Sequence, residues 1–283
     1  MNPQDQDGII SGIPGPEGQD LFVRRWLPDR QPRGAILIAH GLGEHSGRYG
    51  NLINHLLPKG FALYGFDQPG HGKSPGTPGF AASIEQLLAP LTAMTDRLHR
   101  EHPKVPLFIF SHSMGGLLTL RVLLDHSPSL QGAILSSPSL STPESASSLT
   151  IAIGQLLSKL FPKMPLSELD LDQLSTDPSV VSAYREDPLV FHGKYSARLA
   201  IELLNSIAEL KNRPSLEIQT PLLVLAGGED RIAFVEDTRA VLDIIQAPDK
   251  KFILYPTLRH ELINEPERER VLEDINSWLE RRI

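Results

Sequence analysis

The stretch "FIFSHSMGG" (108–116) sets an apolar run directly against Ser113 and small residues. A serine at the tip of a sharp strand-to-helix turn can attack an acyl carbon if the residues two before and two after it are small. Gly115 meets the second condition and Ser111 stands at the first, giving S-x-S-x-G where glycine is usual at both ends. A hydroxyl is a weak nucleophile; it needs a base, and the base needs an orienting group. "LLVLAGGEDRI" (222–232) ends an apolar run with two glycines and the carboxylates Glu229 and Asp230, of which Asp230 is the expected acid. Of the ten histidines, His260 alone stands between the last apolar run and the last helical pattern, and it is the expected base. Serine, acid and histidine in that order along the chain suit acyl transfer through a covalent intermediate. The tetrahedral oxyanion also needs N–H donors. Met114, next to the nucleophile, supplies one, and Leu42, between Gly41 and Gly43, the other.

The elements that must position these residues are legible as a rhythm. Short runs, apolar almost throughout, recur at 35–40, 61–66, 106–110, 132–137, 221–226 and 251–255. Such runs suit parallel strands covered on both faces. Helical patterns lie between them, at 117–126 and 238–246, and a last one follows at 268–282. The alternation predicts an α/β fold with a mostly parallel sheet. Residues 9–26 read as an opening antiparallel hairpin around Gly-Pro-Glu-Gly. From Pro138 to Thr220 no strand is evident, and a structureless loop of that length is implausible. Leu149, Ile153, Leu156, Leu157 and Leu160 share one helical face, as do Leu199, Leu203, Ile207 and Leu210. The expected organisation is a core of 1–138 and 220–283 interrupted by a helical cap at 139–219. Its first helix is nearly uncharged from Ser145 to Ser158. Packing against the main domain is the expected use of that face; a surface for lipid or an acyl chain is the alternative.

Other chemistries fit less well. Gly41, Gly43 and Gly47 give G-x-G-x-x-x-G, not the dinucleotide spacing, and Glu44 would repel a pyrophosphate. "DQPGHGKS" (67–74) has Asp67 where a phosphate loop requires glycine. His40, Glu44 and His45 suggest a metal only loosely, and "HELIN" (260–264) has Asn264 where a zinc helix needs its second histidine. No cofactor or metal is expected. The chain of 283 residues carries a net charge of −7, which argues against nucleic acid and anionic membranes as electrostatic partners. With no cysteine, thiolate sites and disulfides are excluded. A polar N-terminus and no long apolar run lead to the expectation of a cytoplasmic protein.

"HGLGEHSGRY" (40–49), "DQPGHGKSPG" (67–76), "SHSMGG" (111–116), "AYREDPLVFHGKYSARLAIELL" (183–204), "GGEDRI" and "RHELINEP" (259–266) together resemble the monoacylglycerol lipase and lysophospholipase branch of the α/β hydrolases. The resemblance covers nearly the whole chain and departs from the pattern at Ser111. It implies Ser113, Asp230 and His260 as a catalytic triad and Leu42 and Met114 as the oxyanion hole. It further implies that Glu44 and Tyr184 hold a glycerol head, with Arg48 and His112 supporting Glu44. A single-chain acyl glycerol is the first substrate expected. A lysophospholipid, a small ester or an N-terminal amide are alternatives, and a non-catalytic acyl-binding protein is a fourth. Transient membrane contact through the cap is expected at most.

Overall fold

The computed structural model describes residues 8–142 and 148–283, with the side chains of 8–12 and 148–151 left aside. In chain order the first half comprises β1 (Gly8–Pro14), β2 (Asp20–Trp26), β3 (Gly34–Ala39), α1 (Gly50–Leu56), β4 (Phe61–Phe66) and α2 (Glu85–Glu101). It closes with β5 (Leu107–His112), α3 (Met114–Asp125) and β6 (Gly132–Ser136). Then come α4 (Ser148–Leu160), β7 (Pro165–Ser167), α5 (Pro178–Glu186), β8 (Tyr195–Ser196), α6 (Ala197–Lys211) and β9 (Leu216–Glu217). The last part is β10 (Leu222–Gly227), α7 (Val235–Ile244), β11 (Ile245–Gln246), β12 (Lys250–Tyr255) and α8 (Arg268–Glu280).

Eight strands form one sheet in the order β1-β2-β4-β3-β5-β6-β10-β12. β1 and β2 form the expected antiparallel hairpin, β2 runs antiparallel to β4, and every later neighbour is parallel. The two-residue period of a strand divides its side chains between two cores. Ala35, Leu37, Leu107 and Ile109 face one, beneath α2, α3, α6 and α7. Ile36, Ile38, Phe108 and Phe110 face the other, beneath α1 and α8. With both faces covered, apolar residues occupy nearly every strand position, each large one contributing about 1.5–3 kcal/mol. Parallel strands place all their carboxyl ends on one edge, and the loops leaving that edge meet there.

Between β6 and β10 the described residues hold three α-helices, a 3-10 turn at Leu171–Gln173 and three strands of two or three residues each. β7 pairs with β8, and β9 with β11. No strand was expected in this interval; elements this short are below the length at which alternation can be read. α6 buries Leu199, Ile207 and Leu210 as expected. α4 does not follow expectation. Residues 145–147 and the Leu149 side chain lie outside the described residues, but Ile153, Leu156 and Leu160 are 51 to 62% exposed. The buried side of α4 carries Gly154 and Ser158 instead. A Cβ at Gly154 would stand 3.1 Å from the Ile201 side chain, so the small residues are what let α4 approach α6 closely. Among the described residues no helix is long and apolar enough to cross a membrane.

Candidate active site

Ser113 follows β5 and opens α3 with φ 51° and ψ −117°, a conformation L-residues rarely adopt. Its N–H donates to the Ser136 carbonyl (3.1 Å), which ties the turn to β6. The need for small neighbours is visible. A Cβ at Gly115 would lie 2.1 Å from the Ala39 carbonyl oxygen, and one at Gly41 3.2 Å from Ser113 Cβ. Ser111 fits at the other flank because its hydroxyl turns away and donates to the Ile134 carbonyl at 3.1 Å.

Asp230 follows β10 and His260 follows β12. His260 Nδ1 lies 2.8 Å from Asp230 Oδ2, and both side chains are buried. The other Asp230 oxygen accepts N–H bonds from Ile232 (2.8 Å) and Ala233 (2.9 Å), while neighbouring Glu229 is exposed. Burial would raise the Asp230 carboxyl; His260 and the two amides outweigh it and hold the pKa below its ordinary value. For His260, burial disfavours the proton, but Asp230 more than compensates and holds the pKa above its ordinary value.

Ser113 and His260 line one cavity of about 70 Å³ together with Leu42, Met114, Glu44, His112, Tyr184 and Glu261. Met114 is the first residue of α3, and the N–H there has no carbonyl within its own helix to receive it. Leu42 leaves the end of β3 in the loop 40–49. The helix end and this loop thus meet beside Ser113.

The polar end of the cavity is built from the same loop. Glu44 Oε1 accepts from the Gly41 N–H and the Tyr49 hydroxyl, both at 2.7 Å. Burial would raise Glu44, yet His112 and Arg48 overcome it and push the carboxyl down to about 2. His112 lies against Ser136 O through Nδ1 (3.2 Å), and burial, with His260 beside it, pushes it down to about 4. Tyr184 comes from α5. Its hydroxyl is buried without a hydrogen-bond partner among the described residues. Its ring covers the Arg48 guanidinium at 4.4 Å.

All nine residues picked out in the sequence gather here, but Asp230, behind His260, and Arg48 do not line the cavity. Arg48 stands behind Glu44, with Nε 3.3 Å from Oε2, and its Nη2 lies 2.9 Å from both oxygens of Glu261. Glu261 escaped the sequence reading, although it sits in "RHELINEP" beside His260. Only the fold brings it to Arg48. Asp67, weighed as a cofactor-loop residue, is occupied in the interior by Arg24 (2.6 Å), Ser46 and the Lys73 N–H. Among the described residues no cluster of three or more His, Asp or Glu is placed to hold a metal ion.

Comparisons with known proteins bear on this arrangement. Residues 30–267 match the family model described as serine aminopeptidase, S33. A monoacylglycerol lipase of Mycolicibacterium smegmatis is 34% identical over 94% of both chains. A monoglyceride lipase of Mus musculus is 33% identical over 94% of this chain and 89% of its own. The crystal structure of a Paleococcus ferrophilus monoacylglycerol lipase superposes with a TM-score of 0.82 at 33% identity, covering 92% of this chain and 98% of that one.

Proposed function

Because the chain belongs to the serine aminopeptidase S33 family of α/β hydrolases, we propose that it is a serine carboxylic-ester hydrolase releasing a fatty acid from monoacylglycerol. One observation carries the head-group reading. Tyr184 leaves a buried hydroxyl without a partner in a cavity that Glu44, His112, Ser113 and His260 also line. A buried hydroxyl without a partner costs about 1–3 kcal/mol, and a glycerol hydroxyl would satisfy it.

In this reading His260 Nδ1–H faces Asp230, which leaves Nε2 with a lone pair to take the Ser113 proton during attack on the acyl carbonyl. The oxyanion is held by the N–H groups of Met114 and Leu42. The leaving glycerol oxygen receives the proton back from His260. Water activated by the same imidazole then releases the fatty acid. Residues 139–219 act as a cap over a core of 1–138 and 220–283. At about 70 Å³ the cavity is far below the ~300 Å³ of an ordinary small-molecule site, so the acyl chain enters as the cap shifts. The exposed apolar residues of α4, with Phe161, Met164 and Leu166, give the cap a surface for transient contact with lipid.

The test is fatty-acid release from a medium-chain monoacylglycerol by wild type and Ser113→Ala. The expected loss is about 10⁴-fold or more. Should wild type spare the glyceride but hydrolyse an aminoacyl amide through Ser113, Glu44 receives an amino group and the glycerol reading is wrong.

A further inference from the structure

An arginine beside a reacting carbonyl ordinarily reads as a phosphate anchor, because its planar fork matches phosphate oxygens. Here its charge is met by two carboxylates, although Nε makes no hydrogen bond among the described residues. Glu261 Oε1 and Oε2 each lie 2.9 Å from Arg48 Nη2, Glu44 Oε2 lies 3.3 Å from Arg48 Nε, and the Tyr184 ring covers a face of the guanidinium. Both carboxylates line the cavity and the guanidinium does not, so a head group meets the acids first. Glu261 also accepts from the Asn264 side-chain amide at 2.8 Å; burial and Glu44 raise its pKa, and Arg48 and this amide oppose them in favour of the carboxylate. No lysine or arginine stands among the residues lining the cavity, and His112 is neutral at pH 7.

We propose that Glu261 is a specificity-determining residue, which with Glu44 outnumbers the charge of Arg48 and makes the head-group end of the cavity reject anionic esters. The inference deepens the monoacylglycerol reading and rests on it for the placement of the head. It separates an uncharged acyl glycerol from an acyl glycerol phosphate of the same chain length, two substrates that differ in the alcohol and share the acyl half. Two carboxylates against one cation leave this end of the cavity net negative, and salt screens buried charge less than exposed charge, so a bound phosphate is repelled.

The experiment compares three esters of one fatty acid: the monoacylglycerol, the ethyl ester and the acyl glycerol phosphate. Wild type is expected to show kcat/KM for the phosphate at least about 100-fold below that for the ethyl ester. In Glu261→Gln, which keeps an oxygen for Arg48 and removes the charge, that ratio should rise about tenfold. Glu44→Gln serves as the second variant, removing a charge from the opposite side. Using a ratio cancels any general loss of activity from altered packing. Equal wild-type turnover of phosphate and ethyl ester would overturn the proposal, as would a ratio unmoved in both variants. A wild type that prefers the ethyl ester to the monoacylglycerol counts against the polyol reading alone, since the charge ratio is read without the glyceride.

Discussion

His260 is pulled in two directions: burial disfavours its imidazolium, and Asp230 at 2.8 Å favours it, with the net result that its pKa stands above 6.5. As the proposed general base it has to be neutral before the reaction, so the acidic limb of kcat/KM should lie above the ordinary histidine value. Asp230→Asn removes the attraction and frees the wrong tautomer. We expect kcat/KM near neutral pH to fall about 10⁴-fold and the limb to move to lower pH. A pH–rate profile of the two enzymes checks this, and an unmoved limb would detach Asp230 from the base. Residues of this kind are legible in a sequence because each follows its own strand end. Glu261 is not legible in the same way. It meets Arg48 across 213 positions of chain, and nothing local marks the pairing.

At the scale of elements, the strands were readable because burial on both faces makes each a continuous apolar run. The orientation of α4 was not, since periodicity reports that a helix has an apolar face and not where it points. Close approach to α6 is decided by Gly154 and Ser158, and the larger residues are left outside. The rest of the intervening segment is clamped to the site loops. Asp187 pairs with His45 (2.9 Å), the Phe191 N–H donates to the Gly43 carbonyl (2.8 Å), and the Glu261 N–H donates to the Leu174 carbonyl (2.8 Å). The proposed lipid contact would therefore fall on α4 and the residues just after it. The cysteine-free chain makes a direct test simple, because Leu156→Cys carries the sole thiol. An environment-sensitive dye on that thiol should shift to the blue when neutral phospholipid vesicles are added. The same dye on Glu217→Cys, at the exposed position of β9, should not. Equal responses at the two positions would remove α4 from the lipid surface.

Over the whole molecule, the groups that build the site also set how stability depends on pH. Asp67, fully buried, receives Arg24 at 2.6 Å and both the N–H and hydroxyl of Ser46, so it fastens the Leu42–Glu44 loop to β4. Burial would raise its carboxyl, but Arg24 outweighs this and holds the pKa below 3.8. The stability Asp67 contributes is present above 3.8 and is lost as pH falls through the depressed folded value. His260 has the opposite sign. With its folded pKa raised, its contribution is complete below 6.5 and is lost as pH rises through the folded value. In the proposed mechanism activity needs the neutral imidazole, so turnover should rise over the same pH range in which this contribution fades. Relative to His260→Gln, which has nothing to titrate at that position, the wild-type urea midpoint should fall as pH rises from 6.5 through the raised folded value. Taking the difference cancels the other histidines, of which His40, His55, His71 and His112 have lowered values and the opposite sign. Parallel slopes would mean that His260 binds protons equally in both states. Asp67→Asn should lower the urea midpoint at neutral pH, because it removes a buried carboxylate shared by Arg24, Ser46 and the Lys73 N–H. If the same substitution also lowers turnover per folded molecule, the loop that carries Leu42 and Glu44 has lost its anchor; unaltered turnover would confine Asp67 to stability.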